Sequence, residues 1–308
     1  MTSPFGPLAV LVDPRAGNGR VAEKVAAVER ALTARGLEFR LQVAGDAGEL
    51  TRLSSAAMDE GYRFLAAVGD DATVQDVVNG MFREGRPILE EPVLGVIPAN
   101  ADCDLTRSFG LPHDVDGAIG HLIGDNTYPF DVMKIAVTGR DGNRTVRYAH
   151  NMAEVGFHAA AATAAGHDER RANVRRFVGF WRAYLRSPAR GLTIETDRAT
   201  LELRGWSIVI GNGQFTDGGI RLSPRSFPGD GVLDALVFTG PRSDAYRLLP
   251  KIFRHGDHLP HPNIKELRAR LKVAVRASRP MPVVADGRYL GTTPVTFQMV
   301  PQQILLKV

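Results

Sequence analysis

The sequence predicts two domains. Residues 1–131 read as an α/β domain on a parallel, Rossmann-like sheet, residues 132–294 as a mostly β domain, and residues 295–308 as a stretch that returns to the first. Three observations carry this. The chain has 308 residues, more than one compact domain of ordinary size. Up to about Asp131, short apolar runs alternate with amphipathic helical patterns, as parallel strands joined by crossover helices do. Beyond that point, strand-like runs separated by Gly, Pro and Asp turns dominate.

The elements follow in order. Leu8–Val12 is an apolar run that ends in the turn DPRAGNGR, Asp13 to Arg20. Val21, Val25, Val28 and Leu32 then share one helical face, and Gly36 is the stop signal. Phe39–Val43 is a second strand and Glu49–Met58 a second helix. Phe64–Val68 is a third, buried strand; the turn GDDA follows, and a helix opens at Thr73 with Val74, Val77, Val78 and Met81 at helical spacing. Val93–Ile97 is a fourth strand, followed by PANADCDLTRSFGLP. The second half shows strand-like runs at Val132–Val137, Val146–Val155, Leu192–Glu195, Ala199–Leu203, Trp206–Ile210, Leu233–Phe238, Val273–Arg276 and Val283–Ala285. Helical patterns span Asp168–Leu185 and Arg242–Phe253, and Val295–Val308 is a short final strand.

Composition narrows the function classes. Hydrophobic residues make up 44% of the chain, enough for two cores, with no apolar run long enough to cross a membrane. The opening MTSPFGPLAVLV has no charged n-region, so no signal peptide is expected. The single cysteine, Cys103, excludes an internal disulfide and fits a reducing compartment, so a cytoplasmic location is expected. A net charge of +4, mostly from arginine, fits either anionic partners or a plainly solvated surface. The histidines show no metal spacing: His255, His258 and His261 recur every three residues, but Pro260 and Pro262 break any helix. No Ser-His-Asp order and no nucleic-acid motif stand out, so no nucleic-acid partner is expected.

Three loops lie at strand C-terminal ends, where an open α/β sheet gathers its ligands. They are DPRAGNG after the first strand, GDDATVQDVVNG after the third and PANADCDLTR after the fourth. Together they resemble the diacylglycerol kinase catalytic domain family of bacterial lipid kinases and sphingosine kinases, whose N-terminal half is similar to NAD kinase. The second half resembles the family too, in AEVGFHAA (Ala153–Ala160), NGQFTDGGIRLSPRSFPGDGVLDALV (Asn212–Val237) and VVADGRYLGTTPVTFQMVP (Val283–Pro301). The resemblance covers nearly the whole chain, and it implies an NAD kinase-like first domain and a β-sandwich second domain. The match is uneven. Pro14, Gly17, Gly19, Gly69, Asp71, Thr73, Val77, Asn79, Gly80, Pro98, Asp104 and Arg107 fit the family's loops. Asp13 stands for Asn, Ala16 for Ser, Asp70 and Ala72 for glycines, and Asp76 for Glu. Asn100, Ala101 and Cys103 stand where Gly, Thr and Asn are usual, so the nucleotide-facing threonine is missing at Ala101.

The resemblance implies ATP and Mg²⁺ as cofactors, bound between the domains by the loops that carry Asp13, Gly17, Gly19, Gly69, Asp70, Asp71, Ala72, Thr73, Ala101, Asp104 and Arg107. Asp70 is the anomaly. Its backbone can keep a left-handed turn, but a carboxylate about 4 Å from a phosphate charge repels by roughly 4 kcal/mol at an effective dielectric near 20. Three readings stand: it turns to solvent, it helps hold Mg²⁺, or it marks lost ATP binding. Arg15, Arg20 and Arg107 are candidates to compensate its charge. Asp71 positions nucleotide or metal, or caps the helix opening at Thr73. Asn79 is structural as readily as functional.

In the second domain, the resemblance makes Asp286 of ADGR the general base toward a lipid hydroxyl; an Asp-Gly hairpin turn is the plain alternative. Arg288 stands where the family has Glu. Asp230 of PGDGVLD, with the carbonyls of Phe227 and Val232, is the implied structural Mg²⁺ site, or again an Asp-Gly turn. The basic, aromatic stretch His167–Arg186 either meets an anionic membrane or packs its aromatics on the β domain. The resulting expectation is a cytoplasmic, membrane-peripheral kinase acting on a diacylglycerol-like lipid, with a homodimer left open. The alternatives are a catalytically weak or inactive relative that binds a lipid or other ligand, and a kinase of a soluble alcohol.

Overall fold

The computed structural model describes residues 3–46, 48–98, 103–139, 141–160, 187–241, 243–244 and 256–308. The expected helix at Asp168–Leu185, the basic aromatic stretch around it, and all of Arg242–Phe253 except residues 243–244 lie outside the described residues. The chain divides into two compact units. The first holds Met1–Asp131, Asp217–Gly219 and Pro301–Val308; the second holds Val132–Thr216 and Ile220–Val300.

The first unit is α/β. Its strands and helices alternate as β1 (Leu8–Val12), α1 (Arg20–Ala34), β2 (Phe39–Val43), α2 (Glu49–Asp59), β3 (Phe64–Gly69) and α3 (Asp71–Met81). There follow a short ladder of β4 (Phe82–Arg83) and β5 (Arg86–Pro87), then β6 (Val93–Pro98), α4 (Asp104–Phe109) and α5 (Val115–Gly120). Strands β2, β1, β3 and β6 pair in that order, all parallel. Every residue of β1, β3 and β6 is buried, which is why these strands read as unbroken apolar runs. Val21, Val28 and Leu32 of α1 pack with Val10, Val68, Val93 and Leu122 in one core. Each such side chain contributes roughly 1.5–3 kcal/mol on burial.

The second unit is β-rich. In chain order it holds most of β7 (Thr127–Thr138), then β8 (Arg144–Ala149), β9 (Met152–Gly156), β10 (Arg190–Thr196), β11 (Thr200–Gly205), β12 (Ser207–Gly211), β13 (Leu233–Phe238), β14 (Ile264–Ala269), β15 (Lys272–Ala277), β16 (Pro282–Ala285) and the first part of β17 (Arg288–Lys307). One antiparallel run is ordered β14, β13, β12, β9, β16, β17; β15 pairs with β17 and β10, and β10 with β11. Val155, Ile208, Ile210, Val237, Val283 and Phe297 belong to its core.

Several expectations need correction. The single run Val146–Val155 is two strands, broken where His150, Asn151 and Met152 turn their N–H groups to the Asp286 carboxylate instead of a neighbouring strand. Val295–Val308 is not a separate short strand but the end of the 20-residue β17. Its segment from Pro301 belongs to the first unit, where Leu305 and Leu306 pair parallel with Val93 and Leu94 of β6. Strand β14 gives no apolar signal because it lies at the end of its run and carries Lys265, Glu266 and Arg268.

Gly80 fixes how α2 meets α3. A Cβ there would lie 2.4 Å from the Thr51 carbonyl oxygen and 2.4 Å from Ser54 Cβ. Gly80→Ala should therefore lose about 1–3 kcal/mol to overpacking, outweighing a gain in helix propensity of about 1 kcal/mol. Denaturant unfolding of the variant checks this; an unchanged or raised midpoint would show that the helices can part without cost.

Candidate functional site

Parallel pairing of β1, β3 and β6 brings their C-terminal ends, and the loops that follow, to one edge of the first unit. After β1, the Asp13 N–H donates to the Val68 carbonyl at 3.3 Å. Asp13 Oδ1 accepts from Arg15 N at 3.1 Å and from Arg15 Nε at 3.0 Å, which ties Arg15 back onto its own loop. A 3₁₀ turn over Ala16–Gly19 leads into α1. Gly17 (φ 59°) and Gly19 (φ 86°) are left-handed, a conformation that glycine takes without strain. Gly19, which has no side chain to cap with, is the N-cap of the 15-residue α1.

The loop after β3 behaves differently. Asp70, not Asp71, is the N-cap of α3, and the helix opens at Asp71 rather than at Thr73. Asp70 Oδ1 accepts from Thr73 N and Thr73 Oγ1, both at 3.0 Å, while Thr73 Oγ1 accepts from the Asp70 N–H at 3.3 Å. This reciprocal capping box engages the N–H groups where a phosphate would sit. The Asp70 backbone is extended (φ −108°, ψ −174°), correcting the expected left-handed turn. The glycine is required one residue earlier: a Cβ on Gly69 would stand 2.1 Å from Thr73 Oγ1. Ala72 is half-buried in the first turn of α3. Asn79 Nδ2 donates to the Gln75 carbonyl of its own helix at 2.7 Å.

Asp71 caps a helix other than its own. Its Oδ2 accepts from Asp104 N at 2.8 Å and its Oδ1 from Leu105 N at 3.1 Å, at the start of α4. Cys103, the N-cap of α4, is fully buried with Sγ 3.8 Å from Asp71 Oδ1, and burial together with Asp71 pushes its thiol pKa well up. Ala101 lies outside the described residues. Asp104 is 1% exposed. Its Oδ2 accepts from Gly218 N at 2.9 Å, and Arg107 Nε lies 3.3 Å from its Oδ1. Burial first, then the charge of Asp71, push the Asp104 pKa up to about 7. The tip Asp217–Gly219, far away in sequence, belongs to this unit and carries positive φ throughout; any side chain at 219 would meet the Arg107 guanidinium. Sequence reasoning did not single out this tip, although its DGG signals a left-handed turn.

In the second unit, Asp286 and Gly287 form a two-residue hairpin turn with both φ positive (44° and 77°), joining Ala285 to Arg288. The Asp286 side chain is fully buried. Its Oδ2 accepts from His150 N at 2.8 Å, and its Oδ1 from Asn151 N at 3.2 Å and Met152 N at 2.9 Å. The His150 ring nitrogen Nδ1 lies 2.9 Å from Oδ2. His150, in the break between β8 and β9, has no motif signal in the sequence. Asp230 Oδ1 accepts from Val232 N at 2.9 Å, and the Phe227 carbonyl accepts from Gly229 N at 2.8 Å and Asp230 N at 3.3 Å. Among the described residues, no group of three His, Cys, Asp or Glu side chains is placed to hold a metal. No helix among them is long and apolar enough to cross a membrane.

Comparison with known proteins places both halves. The diacylglycerol kinase catalytic domain matches residues 7–135, and the YegS C-terminal NAD kinase beta sandwich-like domain matches residues 151–308. A diacylglycerol kinase of Mycobacterium tuberculosis is 25% identical over 308 residues, covering 96% of this chain and 93% of its own. A crystal structure of a diacylglycerol kinase from Bacillus anthracis superposes with a TM-score of 0.71 at 18% identity, covering 99% of this chain and 98% of its own. Yeast NADH kinase complexed with NADH superposes with a TM-score of 0.55 at 12% identity, covering 97% of this chain and 82% of its own. The last two show the fold, and with it the α/β and β-rich halves.

The raised Asp104 pKa has a defined sign. Unfolded, the carboxyl ionises near 3.8; folded, near 7. The contribution of this carboxyl to stability is therefore fully present below about pH 4 and is lost as the pH rises from there through 7, because the buried group must then carry charge. Asp104→Asn should gain on the parent by about 2–3 kcal/mol between pH 5 and pH 8. Denaturant unfolding at the two pH values tests this; a difference that does not change with pH would place the Asp104 carboxyl back in the ordinary range.

Proposed function

The chain belongs to the diacylglycerol kinase catalytic domain family with a YegS-type C-terminal domain, and from that premise we propose that it transfers the γ-phosphoryl group of ATP to a hydroxyl of a diacylglycerol-like lipid. The observation that supports this most directly is the loop after β1. Gly17 and Gly19 adopt left-handed backbone, and Gly19, as the N-cap of α1, brings no side chain of its own over the start of the helix. Such an end offers N–H groups and a positive helix dipole to phosphate. The residues in that loop toward nucleotide are Asp13, Gly17 and Gly19. Gly69, Asp70, Asp71, Ala72 and Thr73, at the turn from β3 into α3, and Asp104 and Arg107 of α4 are proposed with them, as is Ala101. Mg²⁺, when bound with ATP, neutralises charge on the phosphates.

Asp286 is the proposed acceptor of the lipid hydroxyl proton. As that oxygen bonds to the γ-phosphorus, the bond to the ADP oxygen breaks and the proton passes to the carboxylate. Three N–H groups and the His150 ring already face the carboxylate. Proton transfer therefore requires His150 Nδ1 to yield its place beside Oδ2. The lipid acceptor, peripheral contact with an anionic membrane and a cytoplasmic site of action belong to the same reading.

A second reading is favoured by one observation. Asp70 already engages the Thr73 N–H at the start of α3, which suits a divergent member that binds a lipid or other ligand with weak or no phosphoryl transfer. Calorimetry of ATP binding, with and without Mg²⁺, separates the two on the parent chain and on Asp70→Gly. Micromolar, Mg²⁺-dependent binding by the parent is expected. No binding by the parent, recovered in Asp70→Gly, would favour the non-kinase reading. With diacylglycerol in mixed micelles as acceptor, Asp286→Asn should lower kcat by about 10²–10⁴-fold while leaving the KM for ATP unchanged. Retention of most of kcat would remove Asp286 from the chemistry.

A further inference from the structure

The resemblance assigns a structural Mg²⁺ to the loop of Asp230, held by its carboxylate and the carbonyls of Phe227 and Val232. The residues found there do not fit an ion. Mg²⁺ needs an octahedral shell of oxygens at about 2.0–2.1 Å. The Phe227 carbonyl already accepts two N–H groups, from Gly229 and Asp230. The peptide N–H of Val232 points at Asp230 Oδ1, 2.9 Å away. The other carboxylate oxygen, Oδ2, faces a cation of the protein itself, Arg268 Nη2 at 3.4 Å. A divalent ion at this carboxylate would sit against that guanidinium.

We infer that the guanidinium of Arg268 takes the part of this ion, so that the Phe227–Asp234 loop is closed by a cross-strand arginine instead of a metal. The placement is set by backbone register. Strands β13 and β14 are antiparallel, with Asp234 directly opposite Arg268. Residues so placed share a face of the sheet, with Cβ atoms close enough to interact. Arg268 Nε donates to Asp234 Oδ1 at 2.8 Å, and its Nη2 reaches on to Asp230. One planar fork thus bridges two carboxylates four residues apart, which a delocalised guanidinium does better than an ammonium. Asp234 is 7% exposed at its side chain, so its charge is shielded from water and needs the partner. The other Asp234 oxygen, Oδ2, is buried and has no hydrogen-bond partner among the described residues.

The test is thermal unfolding of the intact protein, without nucleotide, in EDTA and in excess MgCl₂, for the parent, Arg268→Gln and Asp230→Asn. The Arg268→Gln midpoint is expected to fall by about 3 °C in EDTA. The difference between the parent and Asp230→Asn is expected to be the same in EDTA as in Mg²⁺. Either of two results overturns the inference: stabilisation of the parent by Mg²⁺ that Asp230→Asn abolishes, or an Arg268→Gln midpoint equal to that of the parent in EDTA. Neither readout depends on phosphoryl transfer, so failure of the kinase reading leaves it standing.

Discussion

The carboxylate of Asp71 on the N–H groups of Asp104 and Leu105 is the contact on which the strand-end edge of the first unit depends. A parallel sheet ends every strand in a turn whose backbone donors have lost their ladder partners, and the first N–H groups of each following helix are unpaired as well. Buried donors need acceptors, and this chain supplies them with aspartate. Asp70 serves the start of α3, Asp71 the start of α4, and Asp104 the Gly218 N–H of the tip. The second unit repeats the device where Asp286 gathers His150, Asn151 and Met152. Acids at these positions are structural acceptors before they are anything else.

That device has a cost at the first unit's edge. Asp71, Asp104 and Asp217 carry like charge close together, and Arg107 answers only part of it. Desolvation adds to the repulsion, so one carboxyl of the group is held near neutral pH instead of staying acidic. A group that ionises in that range makes the edge sensitive to pH. The two helix starts divide the remaining work: α3 is closed by its own cap, whereas α1 begins on a glycine that brings none.

In the second unit, register decides what charge meets what. Asp234 and Arg268 are neighbours because β13 and β14 align them, and Asp230 is drawn into the same pair from the preceding turn. Asp286 is aimed inward because a two-residue turn with two left-handed residues reverses β16 into β17. The hairpin reading and the functional reading of that Asp-Gly pair are therefore not exclusive, since the turn is what buries the carboxylate.

The alternation of apolar runs and helical patterns determined the first unit's elements through α3, because β1, β3 and β6 are covered on both faces and α1 has a single apolar stripe. The glycines at 17, 19, 69 and 80 were legible as required positions, but not for what. Gly17 and Gly19 are left-handed, while Gly69 and Gly80 are pressed against Thr73 and α2. Which acid caps which helix was beyond the sequence. Asp70 and Asp71 are adjacent and chemically identical, yet one bonds three residues away and the other thirty-three. The same holds for His150 beside Asp286 and for the arginine between Asp230 and Asp234. Local spacing fixes elements because periodicity and propensity act within a turn or two of chain. Partners of buried charge are fixed by register and loop closure across the whole fold, and only the tertiary structure decided those.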